Sequence, residues 1–338
     1  MTQLDTGSRP GTRKLRVGDL VEVRSEEEIL ATLDENGELD NLPFMPEMLR
    51  FCGQRMRVHK VAHKLCDTIS RSGMRRMDNA VHLTGARCDG SAHGGCQTAC
   101  SLYWKEAWLR RVDPDDPPAQ APRPARALLP LLEVNSRRPP AEDGEERYSC
   151  QATELLRAAP VCLPFRDVRQ YVDDVRTGNA GVLPVLRAFL IALFNRYQDI
   201  SKKVFPRTWW IRGGRRWGGL RGTAGRRTPT AELGLQPGEL VRIRSKAEIL
   251  RTLNDDLLNR GMGFEEEMAR YCGRTARVRA RVDRCIDEKS GRMLRMKNPC
   301  IVLDDIVCAG VYNSNCPREF VPFWREIWLE RIEEPHPV

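Results

Sequence analysis

The chain has 338 residues, of which 41% are hydrophobic and 30% are charged. This length allows two or three domains with a sizeable core, and the composition is that of a globular protein. A disulfide-stapled miniprotein, a wholly disordered chain and a membrane-embedded body are therefore excluded. The formal net charge of +9 equals the nine Lys and Arg residues of segment 201–230, which contains no Asp or Glu, so the basic character is local.

Residues 1–16 are predicted to be disordered. They carry no apolar core of the kind that a signal peptide needs, so we expect a cytoplasmic protein with reduced thiols. The longest apolar stretch, 182–194, is too short to span a bilayer and contains Pro184 and Arg187. It predicts a buried helix, and we expect no membrane partner.

Residues 17–112 show the pattern of a small β module. Alternating apolar residues in 20–23 predict a first strand, and Ser25, three residues before Glu28, predicts a capped short helix. Further short strands and turns follow, and the segment Trp104-Lys-Glu-Ala-Trp-Leu109 supplies the last strand. Short strands with one helix in the first long loop predict a closed β-barrel that resembles the Src-homology-3 barrels.

The middle of the chain has three parts. Residues 113–146 are rich in Pro and Ala and predict a linker. Residues 147–200 space their apolar side chains as helices do, so they predict a helical insert. Residues 201–236 combine Trp, Gly and Arg and predict an irregular basic connector.

Residues 237–334 repeat the first module at an offset of 220 residues. Glu28-Ile-Leu-Ala-Thr-Leu33 recurs as Glu248-Ile-Leu-Arg-Thr-Leu253, and the Trp104 segment recurs as Trp324-Arg-Glu-Ile-Trp-Leu329. Coincidence over so many positions is negligible, so the chain is a duplicated module with an insert. The predicted fold class is mainly β with an α insert: two tandem Src-homology-3-like small β-barrels joined by a linker and a helical segment.

Cysteines are the main functional signal. The chain has 12 of them, and a protein with reduced thiols uses such a number for metal binding or catalysis more often than for disulfides. Three recur at the offset of 220: Cys52 with Cys272, Cys88 with Cys308, and Cys96 with Cys316. Loop positions beside Gly, Ser and Asn are poor for core packing, so we predict a metal centre in each module.

Each centre needs a fourth ligand, since a tetrahedral zinc site and an iron–sulfur cluster both take four. The options are Cys66 and Cys100 in the first module, Cys300 in the second, and Cys150 or Cys162 from the insert. Cys66 aligns with Ile286 rather than with Cys285, which argues against Cys285 as a ligand. The predicted ligands are Cys52, Cys66, Cys88, Cys96, Cys100, Cys272, Cys300, Cys308 and Cys316.

The spacing of the cysteines bears on the choice of metal. Structural zinc sites commonly use two paired Cys-x2-4-Cys motifs, and neither module has two of them. Scattered single cysteines suit a cluster, because its larger core holds its ligands further apart than one ion does. We therefore predict two 4Fe-4S clusters, with zinc as the alternative.

The loop between Cys88 and Cys96 is the candidate for chemistry. It contains Asp89, Ser91 and His93, and the second module has Asn313 in place of the histidine. A lone histidine in a Gly-rich loop more often faces solvent. If His93 acts, it is a proton donor or a substrate contact beside the centre, and Asp89 and Ser91 are its predicted catalytic neighbours.

Several motifs carry a resemblance to a known family. They are Cys52-Gly53, Arg87-Cys-Asp-Gly-Ser-Ala-His-Gly-Gly-Cys96, the Trp104 segment, Pro317-Arg318 and the Trp324 segment. On these motifs the chain resembles a bacterial family of uncharacterised proteins associated with specialised-metabolite and polysaccharide gene neighbourhoods. The resemblance covers nearly the whole chain and implies a role in bacterial specialised metabolism without implying a particular reaction.

Two functions are expected from these observations. The first is a redox or cluster-dependent enzyme that acts on a small-molecule substrate or exchanges electrons with a redox partner protein. The alternative is a zinc-stabilised adaptor that binds nucleic acid or a partner protein. Segment 201–230 is the expected nucleic-acid surface, because Arg binds phosphates and Trp stacks on bases, although the same residues also suit a connector anchored by its tryptophans.

Overall fold

The computed structural model describes residues 14–116 and 129–332. Within these ranges the chain forms mainly small antiparallel sheets with a few helices. Of the predicted disordered N-terminus, only 14–16 are described. Residues 117–128 of the predicted linker and 333–334 of the predicted second module also lie outside the described residues.

The first module is built around one antiparallel sheet. Its elements are β1 Leu20–Val23, α1 Glu26–Leu30, β2 Glu38–Leu39, β3 Leu42–Pro43, β4 Arg55–Val61, β5 Lys64–Cys66, β6 Met74–Arg76, β7 Ala80–Leu83, β8 Trp104–Lys105 and β9 Leu109–Arg111, with short 3-10 turns at Pro46–Phe51 and Glu106–Trp108. Five strands form a half-barrel in the order β8-β7-β4-β1-β9. Because β1 pairs with both β4 and β9, the first and last strands of the module lie side by side.

The middle of the chain packs onto this module. Its elements are α2 Leu129–Asn135, β10 Arg137–Arg138, β11 Arg147–Tyr148, α3 Leu155–Ala158, β12 Cys162–Leu163, α4 Arg169–Thr177 and α5 Val182–Val204, followed by 3-10 turns at Arg207–Trp209 and Ile211–Gly214. Helix α2 and β10 fall within the predicted linker, whereas β11 lies at the start of the predicted helical insert, and Leu132 of α2 is buried in the first module's core. Strand β12 extends the small sheet of β5 and β6.

The second module repeats the first down to the pairing of single residues. Its elements are β13 Leu240–Ile243, α6 Lys246–Leu250, β14 Leu258–Asn259, β15 Met262–Gly263, α7 Glu266–Ala269, β16 Thr275–Ile286, β17 Met293–Leu303 and β18 Leu329–Arg331, with a 3-10 turn at Glu326–Trp328. Its sheet has the order β17-β16-β13-β18. Leu20 lies opposite Arg57 and Leu240 lies opposite Arg277, so the offset of 220 holds across the strands.

The predicted capped helices are present in both modules. The Ser25 hydroxyl accepts a hydrogen bond from the Glu28 backbone N–H at 3.3 Å, and the Glu28 carboxylate accepts one from the Ser25 backbone N–H at 3.0 Å. Ser245 and Glu248 repeat both bonds. These reciprocal bonds satisfy backbone donors that the first turn of a helix leaves free, which is why so short a helix begins there.

Tryptophans of the repeated segment form the centre of each core. Trp104 and Trp108 are fully buried, and the Phe44 ring meets them edge to face at 6.2 and 5.1 Å between centroids. The Trp108 indole N–H donates to the Thr32 hydroxyl at 3.0 Å, so its polar atom is satisfied. Trp324, Trp328, Phe264 and Thr252 repeat this arrangement. The segment is thus a core element in both modules.

The two modules differ where the insert docks. Strand β4 ends at Val61, whereas its counterpart β16 continues to Ile286. Asn179, between α4 and α5, accepts a hydrogen bond from the Val61 N–H at 2.8 Å and donates one to the Val61 carbonyl at 2.7 Å. The insert therefore binds the backbone at the point where the first module departs from the second.

His82 on β7 is expected to make stability depend on pH. Its side chain is buried, its Nδ1 lies 2.9 Å from the Leu102 carbonyl, and burial lowers its pKa to about 4. The unfolded chain binds the proton near pH 6.5, so between pH 6.5 and 4 the unfolded state holds more protons. The contribution of His82 to the free energy of unfolding should be at its maximum above pH 6.5. It should decrease by about 3 kcal/mol as the pH falls to 4.

Urea unfolding of the wild-type chain and of His82→Gln across this range measures the effect. The variant should show the flatter dependence on pH, because its amide does not titrate. Equal slopes for the two proteins would show that His82 does not contribute.

Candidate metal centre

The two modules meet through reciprocal contacts between a backbone N–H and a cysteine. The Cys66 N–H lies 3.2 Å from Cys316 Sγ, and the Ile286 N–H lies 3.4 Å from Cys96 Sγ. Residues 66 and 286 are equivalent at the offset of 220, and so are 96 and 316. The repeated cysteines 96 and 316 therefore lie at the junction, each against the strand of the other module.

A cavity of about 40 Å³ lies at this junction. Four cysteine side chains line it: Cys88, Cys96, Cys100 and Cys150. Glu47 and His93 line it as well, and the second module contributes Ile286, Glu288 and Arg318. The cavity thus collects thiols from two separate segments of the chain and is closed by the opposite module.

A glycine turn brings the loop cysteines to the cavity. Gly90 has a φ of +73°, and a Cβ there would lie 2.0 Å from the Cys96 carbonyl oxygen. Gly310, with a φ of +69°, approaches the Cys316 carbonyl in the same way, where a Cβ would lie at 2.5 Å. Only glycine fits such a close backbone approach, so the two modules build the same turn.

Cys100 belongs to the first module alone. The Cys88 N–H donates to the Cys100 carbonyl at 2.9 Å, and in the second module the Cys308 N–H donates to the Phe320 carbonyl at 2.7 Å. The backbone pairing is the same, but phenylalanine cannot ligate a metal. The first module's loop is therefore richer in ligand atoms than its counterpart.

Cys150 reaches the cavity from the segment after the β10–β11 hairpin. The neighbouring Gln151 is buried, and its side chain accepts from the Tyr103 N–H at 2.8 Å and donates to the Pro43 and Tyr103 carbonyls at 3.0 and 2.9 Å. These three bonds anchor the segment to the first module. Of the two insert cysteines considered from the sequence, Cys150 lines the cavity, whereas Cys162 is exposed on β12.

Among the potential metal-ligating side chains that line the cavity, three lie closest to one another: Glu47, Cys88 and His93. Their ligand atoms all lie within 4.8 Å of one another, with Cys88 Sγ at 3.3 Å from His93 Nε2 and His93 Nδ1 at 3.9 Å from Glu47 Oε1. Glu47 and His93 are buried, and within the described ranges both Glu47 oxygens and His93 Nδ1 lack a hydrogen-bond partner. Buried polar atoms are normally satisfied, so this group suits a bound cation.

Glu47 is a residue that the cysteine pattern did not identify. Its equivalent at the offset of 220 is Glu267, so alignment of the two modules for repeated acidic residues would have found it. The two glutamates differ in their surroundings, because Glu267 accepts a hydrogen bond from the Tyr312 N–H at 2.8 Å. His93 is buried and lines the cavity, so the expectation that a lone histidine in this loop faces solvent is wrong here.

Burial governs the protonation of these groups. It raises the pKa of the Cys100 thiol to about 12 and that of Cys150 to about 11, and it also raises the pKa of Cys88. It lowers the pKa of His93, which favours the neutral imidazole that binds metals. The thiols are therefore protonated at neutral pH unless a metal displaces the protons.

Three further predicted ligands lie on the other side of the junction. Hydrogen bonding from the Cys66 thiol lowers the pKa of Cys316, and Cys308 interacts electrostatically with both. Arg318 is buried nearby and donates to the Thr68 hydroxyl at 2.8 Å and to the Glu288 carboxylate. This second thiol group, Cys66, Cys308 and Cys316, combines one residue of the first module with two of the second.

The remaining predicted ligands lie in the cores. Cys52 belongs to the hydrophobic core of the first module, and Cys272 packs against that of the second. Cys300 is buried, with its Sγ at 3.3 Å from the Met296 sulfur and 3.4 Å from Arg325 Nη1. None of the three is among the residues that line the junction cavity.

Asp89 and Ser91 form a surface turn. The Asp89 carboxylate accepts hydrogen bonds from the Ser91 N–H at 2.9 Å and the Ser91 hydroxyl at 2.6 Å, and it pairs with Arg50 at 2.6 Å. Neither Asp89 nor Ser91 lines the cavity. Their contacts shape the start of the loop that carries His93.

The basic connector lies apart from these groups. Trp209 is exposed, whereas Trp217 packs edge to face against Phe194 of α5 at 5.5 Å between ring centroids. Arg216 pairs with Asp199 of α5 at 2.8 Å. Gln198 of α5 also donates hydrogen bonds to the Ile211 and Arg215 carbonyls at 2.7 and 2.8 Å, so the connector is anchored to α5 by ring packing, an ion pair and hydrogen bonds.

Comparison with known proteins finds no family model, curated protein or solved structure that matches this chain. Among the described residues, none of the helices has the length and apolar character that a membrane span requires.

Proposed function

We propose that the chain is a metal-centre protein with a 4Fe-4S cluster in the junction cavity, ligated by Cys88, Cys96, Cys100 and Cys150. The observation that carries this proposal is that four cysteines, three from one loop and one from the insert, line a single cavity. Four thiolates are the usual ligand set of such a cluster. Its chemistry, when bound, is electron transfer or Lewis-acid activation of a substrate.

The spacing of the thiols supports a cluster over a single ion held by cysteines. Within the described ranges, no three of these four sulfurs lie within 4.8 Å of one another. A zinc ion with Zn–S bonds of about 2.3 Å would require closer sulfurs, whereas a cluster holds them apart. Arg318 in the cavity wall supplies a buried positive charge near the thiolates, although Glu288 partly offsets it.

Zinc at Glu47, Cys88 and His93 is the second candidate. The mutual approach of these three ligand atoms and the unpaired Glu47 oxygens favour it. The cavity of about 40 Å³ also takes one ion without rearrangement, whereas a four-iron cluster requires its walls to move apart. In this case the protein is the zinc-stabilised adaptor, with 201–230 as its nucleic-acid or partner surface.

The wider proposal follows from the first candidate. The protein acts in the cytoplasm as a redox or cluster-dependent enzyme of bacterial specialised metabolism, on a small molecule or with a redox partner protein. His93 holds or donates a proton at Nδ1 or Nε2 beside the centre. The second centre belongs to Cys66, Cys308 and Cys316, and each module is a Src-homology-3-like barrel.

Anaerobic purification followed by iron, sulfide and zinc analysis tests these candidates. A brown protein with equal amounts of iron and sulfide supports the cluster. A colourless protein with stoichiometric zinc, lost in Glu47→Gln, supports the second candidate instead. A chain that retains neither metal after purification from metal-supplemented cells would overturn both.

A further inference from the structure

Helix α5 is apolar on two opposite faces. Its buried face carries Val185, Ala188, Ile191, Gln198 and Ser201, which pack onto the rest of the chain. The opposite face carries seven further large side chains, all solvent-exposed: Leu183, Leu186, Leu190, Leu193, Tyr197, Ile200 and Val204. We call these seven residues the α5 seam. A helix that is apolar all round is normally covered on every side.

The spacing of the α5 seam is regular. Its members follow one another at steps of three and four residues in strict alternation along the 23-residue helix. This alternation is the heptad pattern of a coiled coil, in which the first and fourth residues of each heptad face a partner helix. A stripe confined to these two positions is narrower than the apolar face of a helix that packs onto a sheet or a broad core.

Contacts from the described parts of the chain border the seam without covering it. Phe189, on one flank, packs edge to face on Tyr171 of α4 at 5.2 Å between ring centroids. Phe194, on the other flank, packs on Trp217 of the connector at 5.5 Å. Leu190 lies between these two rings in the sequence and is 53% exposed, and Leu183 precedes both rings and is 77% exposed. The exposed stripe is thus about as wide as one helix.

We infer that the α5 seam is the dimer interface of this protein and that its occupant is α5 of a second copy. A helix that covers the α5 seam must present apolar residues at the same heptad spacing over about 35 Å, the length of a helix of this size. Among the described helices the next longest is α4 with nine residues, so only α5 provides such a seam. This inference is independent of the proposed metal centre.

Charges along the seam permit self-association. In a parallel coiled coil with matched heptads, the seventh residue of one heptad faces the fifth residue of the next heptad on the partner helix, five positions further along the sequence. Arg196 then faces Ser201 and Val182 faces Arg187, so within the seam no cation faces a cation. Like charges opposite each other would have opposed pairing.

An anionic membrane surface is the competing occupant, because the helix and the following connector are basic. Helices that lie on membranes bury a broad apolar face with cations along its borders. Here Arg187 and Arg196 lie in the same flanking rows as Phe194 and Phe189, but the two rings pack on their own chain and leave only a narrow apolar stripe free. The narrow stripe therefore favours a partner helix.

Sedimentation equilibrium of the full-length protein, under anaerobic conditions that keep the cysteines reduced, tests the inference. We expect a dimer at micromolar concentration. The double variant Leu190→Glu and Leu193→Glu should raise the dimer dissociation constant by at least about 100-fold, because each pair would bury unpaired carboxylates. Both side chains are exposed in the single chain, so the variant should fold normally by circular dichroism.

Val134→Glu is the matched control, since Val134 is an exposed apolar residue of α2 away from the seam. It should sediment as the wild type does. A monomeric wild type, or a double variant that still dimerises, would overturn the inference. So would a monomer that binds vesicles of phosphatidylserine and phosphatidylcholine and loses this binding in the double variant, since the seam would then face lipid.

Discussion

Cys150→Ser is expected to remove at least about half of the iron bound by the anaerobically purified chain. Cys150 is the one thiol of the cavity that comes from outside the loop of the first module. A cluster with three thiolates left is held less tightly and is lost more readily, because serine is a poorer ligand for iron than a thiolate. Cys100→Ser should give a loss of similar size.

Two further variants make this test specific. Cys162→Ser is the matched control, because Cys162 belongs to the same insert but is exposed on β12. It should leave the iron content unchanged. Glu47→Gln should also leave iron unchanged if cysteines alone hold the cluster, and should instead remove zinc if the second candidate is correct. Iron that is unchanged in both Cys100→Ser and Cys150→Ser would contradict the proposed ligand set.

Lys64→Met is expected to lower the free energy of unfolding by about 3–5 kcal/mol. Lys64 on β5 and Asp174 on α4 are both fully buried, and Lys64 Nζ lies 2.6 Å from Asp174 Oδ2. Methionine has a similar length but no charge, so the variant leaves the Asp174 carboxylate buried without its main cation. His63, with Nε2 at 3.3 Å from Asp174 Oδ1, compensates only if it is protonated.

Urea unfolding at neutral pH measures this cost, and Lys105→Met provides the control. Lys105 is also buried and lies 2.9 Å from Asp40, but the Asp40 side chain is 62% exposed and remains solvated when the lysine is lost. Its variant should therefore be destabilised by less than Lys64→Met. Equal costs for the two would show that the buried partner charge does not dominate. The double variant Lys64→Met with Asp174→Leu should recover much of the loss, since no charge remains buried.

Local signals in the sequence were sufficient for the repeated parts of the fold. The offset of 220 predicted equivalent strands, and the structure confirms it in the register of Leu20 with Arg57 and of Leu240 with Arg277. The capped helices at Ser25 and Ser245 were also predicted, because a capping box involves residues only three apart. The alignment of Cys66 with Ile286 is supported by their matching contacts at the junction.

The helical insert was only partly anticipated. The apolar stretch 182–194 predicts a helix, and α5 is present, but one face of it is exposed rather than buried. Apolar periodicity shows that a face needs covering and does not show what covers it. In the predicted linker, α2 packs on the first module, and the β10–β11 hairpin that begins there pairs with the β16–β17 turn of the second module through the Tyr148 N–H and the Gly291 carbonyl. Composition alone did not indicate either contact.

By itself, then, the sequence determined that the chain is a duplicated module with an insert, which local helices it forms, and which cysteines are equivalent. Only the tertiary structure decided that Cys88, Cys96, Cys100 and Cys150 share a cavity, that Glu47 lies beside them, and that Cys66 lies against Cys316 of the other module. The physical reason is the range of the interactions. Caps and strand alternation depend on residues a few positions apart, whereas a site at a junction depends on how two modules and an insert pack together.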